Sequence, residues 1–248
     1  MTSRQIWIPY CGAAPPPAEW LAHWNLDPAL LLMLAASLIF SLLNPSTRPA
    51  VQAARLSTIG VATLVFVSPF CVLGSALFAV RTLHHIVLLT LLAPLLAVAL
   101  DLHRLRVPGT FAFWTVVQAA VFWIWHAPAA YELALSSTWA FWAMQLTMTG
   151  SAAVWFARLR QQNAGTAVVG LLATMVSMGL LGALLTFGGI AIYAPHALSA
   201  PMYGLSPLED QQIAGLIMWA PGSATYLLAA VTILYRSLRP AYPAADAR

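Results

Sequence analysis

The chain has 248 residues, of which 61% are hydrophobic and only 7% charged, and its mean hydropathy is +0.81. Soluble domains carry about 25% charged residues, so this chain cannot cover its surface in water and reads as a one-domain integral membrane protein. Its formal charge of +4 comes entirely from arginine, a balance that sets topology in such a protein and gives no reason to expect nucleic acid as a partner.

The first 27 residues hold Pro15-Pro16-Pro17 and polar breaks where a cleavable signal peptide would have an apolar run. Residues 1–27 are therefore expected to be an extracytoplasmic segment, and residues 28–235 a bundle of seven transmembrane helices. The first span is Pro28–Leu43, with proline favoured in a first turn. The second covers 57–80 and should kink at Ser68-Pro69, where proline removes a backbone hydrogen bond. The third covers 83–100 with Pro94 inside it, the fourth 110–125 and the fifth 138–157. The sixth, 166–187, ends at Gly188-Gly189, and its Gly179, Gly182 and Ala183 read as a close helix-packing face. The seventh opens in a polar knot: Asp210, Gln211 and Gln212 stand at the head of an apolar run that continues to Tyr235. A carboxylate there caps a helix and meets the positive end of its dipole. Residues 236–248 form a cytoplasmic tail.

Orientation follows from the arginines. With the N-terminus outside, Arg48, Arg55, Arg104, Arg106, Arg158, Arg160, Arg236, Arg239 and Arg248 fall inside, and only Arg4 and Arg81 remain outside. The positive-inside rule selects N-out, C-in. His23, His84, His85, His126 and His196 then lie at or beyond the outer boundary, together with Asp27, Glu132, Glu209 and Asp210; only His103 is inside.

Imidazole and carboxylate are metal ligands, imidazole suiting copper and zinc. The bland alternative has each histidine bonding water or a carbonyl at the headgroup boundary. Met144 and Met148, and Met175 and Met178, have helical spacing and could pass Cu(I), but methionine also fills gaps between helices. Two cysteines are too few to define a disulfide framework. Cys11 reads as an N-terminal thiol or thiolate ligand, and Cys71 as a small buried hydrophobe.

Three stretches form a joint pattern: Leu83-His84-His85-Ile86-Val87-Leu88-Leu89 with Ala93-Pro94-Leu95-Leu96, Trp125-His126-Ala127-Pro128 with Tyr131, and 207–222 with Asp210-Gln211-Gln212, Gly215, Met218-Trp219 and Pro221-Gly222. Over roughly residues 24–235 the chain resembles the seven-helix CtaG family of cytochrome c oxidase assembly proteins. The resemblance implies a multi-pass protein of the bacterial inner membrane that helps produce active oxidase, at copper insertion on the outer face. Oxidase subunits or other copper-handling proteins would be its partners besides the lipid bilayer. His85, His126, Asp210, His84 and His196 are the expected metal-site residues. Arg81, Gln211, Gln212, Tyr131 and Trp219 are expected to shape that site or to meet a partner. The family pattern has a histidine four residues before His85, where this chain has Arg81, a permanent cation that cannot ligate. His84 points about 100° away around a helix. Arg81 pairing with Asp210 or Glu132 as a structural latch is the competing expectation.

Other classes lack their chemistry. There is no lysine for a retinal Schiff base, and no histidine pair at haem depth. No nucleophile–base pair or phosphate loop is visible, so an enzyme is not expected. Two functions stand: an assembly factor with copper or a docked oxidase subunit at its outer polar face, and a copper transporter using the methionine pairs.

Overall fold

The computed structural model describes residue 7 and residues 9–105 and 107–238. Arg4, Arg106, Arg239 and Arg248 of the charge count lie outside the described residues. Among those described, all regular structure is helical, in nine helices: α1 (Pro28–Leu43), α2 (Pro49–Phe66), α3 (Pro69–Ala76), α4 (Phe78–Ala99), α5 (Phe111–His126), α6 (Pro128–Ser136), α7 (Thr138–Leu159), α8 (Ala164–Phe187) and α9 (Pro207–Leu238). Four of them, α2, α4, α8 and α9, are long and apolar enough to cross a membrane. Helices α1 and α5 are apolar but shorter, at 16 residues each, and α7 has 22.

Most helix starts are written locally. Asp27 accepts the Leu30 amide at 2.8 Å, Thr110 the Phe113 amide at 3.1 Å and Asn163 the Thr166 amide at 2.9 Å. Ser206 and Glu209 form a reciprocal capping box on α9. Proline, whose missing amide costs nothing in a first turn, begins α1, α2, α3, α6 and α9. Further along a helix, proline crowds the carbonyl four residues back. Both helices that carry one take a π turn there, Leu88–Leu92 ahead of Pro94 and Met218–Gly222 around Pro221.

The second expected span is corrected. Helix α2 starts at Pro49, and at Ser68-Pro69 the chain breaks and starts the separate helix α3. Ser68 accepts the Phe70 amide and supplies a fresh N-cap. A second break at Leu77, in extended backbone, hands residues 78–80 to α4. The short helix α6 was not expected, and α9 runs past Tyr235 to Leu238.

Packing is closest where α8 crosses α9. A Cβ on Gly215 would sit 2.6 Å from the Gly182 carbonyl oxygen and 2.6 Å from the Thr186 amide. The small-residue face expected on α8 thus meets a glycine of α9, and close backbone approach replaces side-chain interdigitation there. Trp155, fully buried on α7, donates to Thr115 of α5 at 2.9 Å, and Trp123 of α5 donates to Ser177 of α8 at 3.0 Å. Cys11 and Cys71 are joined in a disulfide with a Cα separation of 5.6 Å. This corrects the reading of Cys11 as a thiol or thiolate ligand; Cys71 is buried as expected, but as half of a bond that pins the N-terminal segment to α3.

Candidate functional site

The first two turns of α4 carry Arg81, Thr82, His84 and His85, all at most 1% exposed. Their side chains enter a polar core roofed by α3, α6 and the connection between α8 and α9. That roof is why the residues are buried although they sit near helix ends. The expected outer polar face is therefore an interior.

Asp210 sets the position of α4. Its carboxylate accepts the Phe78 amide at 2.7 Å and the Ala79 amide at 3.0 Å, while Leu77, the residue at the cap position, supplies no side-chain bond. The acid reads as a cap, as expected, but it caps a neighbouring helix; Ser206 caps α9 itself. Gln211 is also structural: it accepts the Ile192 amide at 2.8 Å and donates to the Ile190 carbonyl at 3.1 Å, fastening the α8–α9 connection. Gln212 is half-buried. Trp219 is 44% exposed and meets Phe187 edge-on.

His85 and His126 come together, with His85 Nδ1 and His126 Nε2 3.4 Å apart. His126 Nδ1 lies 2.7 Å from the Phe122 carbonyl oxygen, so its proton belongs on Nδ1, leaving Nε2 as a lone pair aimed at His85. Tyr193 donates to the His126 carbonyl at 2.7 Å and its ring packs 3.9 Å from that of Phe78. His84 turns away, as its place on the helix requires. Its ring packs between Phe66 and Phe70, 6.0 Å from the His85 ring. The Gln145 amide lies against it without an ordinary hydrogen bond.

His196 belongs to a third group, with its Nε2 2.7 Å from the Tyr131 hydroxyl. Burial pushes the His196 imidazole down to about 3, so it stays neutral and accepts from the tyrosine. Burial pushes the Tyr131 hydroxyl up, against the pull of the neighbouring Arg81 guanidinium. The Tyr193 hydroxyl is pushed up by burial as well.

Arg81 is fully buried. Its Nε donates to the Gly74 carbonyl at 3.1 Å, and the guanidinium stands 5.4 Å from the centre of the Phe141 ring. It makes no ion pair with Asp210 or Glu132; among the described residues Arg48 pairs with Asp101, and His103 Nδ1 lies 3.7 Å from the other Asp101 oxygen. Gly74 is needed at this contact, because a Cβ there would lie 3.2 Å from the Arg81 Cζ.

The five expected metal residues thus separate into a His85–His126 pair, an aromatic nest for His84, a tyrosine partner for His196 and a cap made by Asp210. Among the described residues no three of His, Cys, Asp or Glu gather closely enough to hold a metal ion. Sequence reasoning missed Tyr193, Phe78 and Gln145. An amide within an apolar span was the one signal that could have exposed Gln145.

The family model for the cytochrome c oxidase caa3 assembly factor (Caa3_CtaG) matches residues 46–240. This chain belongs to that family. The match begins after α1 and takes in every residue of the polar core described above. No curated protein and no solved structure matches the chain. In this Caa3_CtaG member the helix turn before His85 carries the buried cation of Arg81.

Proposed function

We propose that this Caa3_CtaG protein crosses the bacterial inner membrane seven times, N-terminus out and C-terminus in, and promotes maturation of a cytochrome c oxidase without catalysing a reaction itself. The topology takes α1, α2, α4, α5, α7, α8 and α9 as the crossings. The Cys11–Cys71 disulfide supports it, because such bonds persist in oxidising compartments, in keeping with an outer location for the α3 end. The arginines at the opposite end support it too.

Copper is the proposed cargo, handled at His85 and His126. The observation that carries this reading is their 3.4 Å nitrogen–nitrogen distance. Two ligands of a tetrahedral ion with metal–nitrogen bonds of about 2.0–2.1 Å lie about 3.3–3.4 Å apart, and imidazole suits copper. With two imidazoles and, among the described residues, no third His, Cys, Asp or Glu beside them, the pair fits a metal held briefly and passed on. Asp210 acts by holding α4, and so His85, in register.

The test is copper content after purification with and without added copper, for the wild type and for His85→Ala and His126→Ala, alongside oxidase activity in cells producing each. The wild type is expected to take up copper that both variants lose, and both variants to insert but leave the oxidase inactive. Normal oxidase activity in both variants would remove the proposal. A metal-free scaffold is the second reading, favoured by the lack of a third such ligand among the described residues and by Arg81. It predicts that both variants leave the oxidase inactive although the wild type itself carries no copper.

The transporter reading rests on the methionine pairs. Met144 and Met148 are buried in the core, and Met178 packs on Gly222, where a Cβ would lie 2.9 Å from its sulfur. Packing accounts for these positions. Met144→Leu with Met175→Leu is expected to leave oxidase maturation intact.

A further inference from the structure

Beyond Phe66 and Gln145, which separate it from His84, α1 stands off the bundle and leaves a cleft of about 820 Å³ between itself, α2, α4 and α7. That is within the range of about 300–1,000 Å³ typical of small-molecule sites. Phe40, Ala62, Leu96, Trp142 and Gly150 are among its walls, and Arg55 stands at one end. Along α1 the cleft extends from Leu30 to Ser41, about 16 Å at about 1.5 Å per residue. Half of a hydrocarbon core of about 30 Å is about 15 Å, so the cleft, which takes in most of α1, is long enough for an acyl chain of one leaflet.

Its charged end lies where headgroups lie. Arg55 Nη1 donates to the Asn44 carbonyl at 3.1 Å, just past the end of α1, and Nε lies 3.5 Å from the Ala99 carbonyl oxygen at the end of α4. The guanidinium has no carboxylate partner among the described residues. The nearby acid, Asp101, is taken by Arg48, with His103 3.7 Å away. A permanent cation at interface level therefore tops an apolar slot of acyl-chain length.

From this geometry, and resting on the membrane-spanning reading, we propose that the cleft holds one anionic phospholipid of the leaflet on the Arg55 side. Its phosphate meets Arg55 and an acyl chain runs between α1 and α7. The lipid completes the packing of α1, which otherwise rests on α2. Gln145, which also lines the cleft, leans on His84 and takes no part.

Quenching of tryptophan fluorescence in vesicles gives the test, using phosphatidylglycerol or phosphatidylcholine with brominated chains at equal mole fraction. Trp142 lines the cleft, so its share is the difference between the wild type and Trp142→Phe. Phosphatidylglycerol is expected to quench that share with about fivefold higher apparent affinity, since one arginine at an anionic surface contributes about 1 kcal/mol. Arg55→Gln should abolish the preference. A Cβ on Gly150 meets nothing within 4 Å, so Gly150→Phe fills the slot and should remove quenching by either lipid. Equal quenching by the two lipids in the wild type, or an unchanged preference in Arg55→Gln, overturns the proposal. So does an isoprenoid quinone or a protein helix retained there in place of phospholipid after purification. Resistance to alkaline carbonate extraction separately reports whether the chain is membrane-embedded, so a failure of that reading is seen on its own.

Discussion

Asp210→Asn isolates the bond that holds α4 in place. In the native protein one carboxylate oxygen takes the Phe78 amide and the other the Ala79 amide, and Asp210 is fully buried. Asparagine keeps one acceptor and turns an NH2 group toward the other amide, leaving a buried donor unsatisfied, which costs about 1–3 kcal/mol. Loss of the negative charge at the helix N-terminus adds about 0.3–1 kcal/mol. In a chain of this size each kcal/mol moves Tm by about 2–4 °C, so a drop on the order of 5–10 °C is expected. Thermal unfolding of the detergent-purified protein, followed by near-ultraviolet circular dichroism, measures it. Glu209→Ala is the control. It removes an exposed cap one residue away and should cost about 1 kcal/mol or less. If Asp210→Asn unfolded within 1 °C of the wild type, or later than Glu209→Ala, the cross-helix cap would not be holding α4.

Gly215→Ala should lower stability by about 1–3 kcal/mol, because its Cβ meets α8 backbone at 2.6 Å; Gly150→Ala, in open space, should be neutral in the same unfolding assay. Cutting the Cys11–Cys71 bond with Cys71→Ser releases a loop of 60 residues in sequence separation, about 4 kcal/mol in chain-entropy terms. It should appear as a lower Tm that matches the wild type under reductant. Acid should act through His196: its folded value of about 3 lies below the unfolded value of about 6.5. The unfolded chain then binds the proton first as pH falls, and stability is lost between about pH 6.5 and pH 3, at up to about 1.4 kcal/mol per unit. The difference in Tm between the wild type and His196→Gln, plotted against pH, should shrink over that window; a constant difference would refute the assignment.

Helix α1 was legible to the residue because its stop and start signals are local: Asp27 caps it and Pro28 opens it. The end of the sixth span at Phe187 was equally local. The region 66–83 was not. Nothing in Ala76-Leu77-Phe78 announces a helix start, since the cap that fixes it belongs to Asp210. The cysteine pair was illegible for a similar reason, as two residues far apart in sequence meet only through the fold. For the site, spacing along one helix was informative. It placed His84 away from His85, and in the structure His84 packs among Phe66 and Phe70 while His85 meets His126. Contacts between helices were not available from spacing. That is why Asp210, close to the histidines in the expected grouping, turns out to serve the backbone.

The tie between Asp210 and α4 also imposes an order of events on synthesis. The amides of Phe78 and Ala79 precede their acceptor by 132 and 131 positions. While the chain emerges, the start of α4 must do without this cap until Asp210 has left the ribosome. His85 cannot be set against His126 for good before then. A truncated product ending ahead of α9 would reach the bilayer with its central helix unanchored, a form that membrane quality-control proteases could tell from the finished protein.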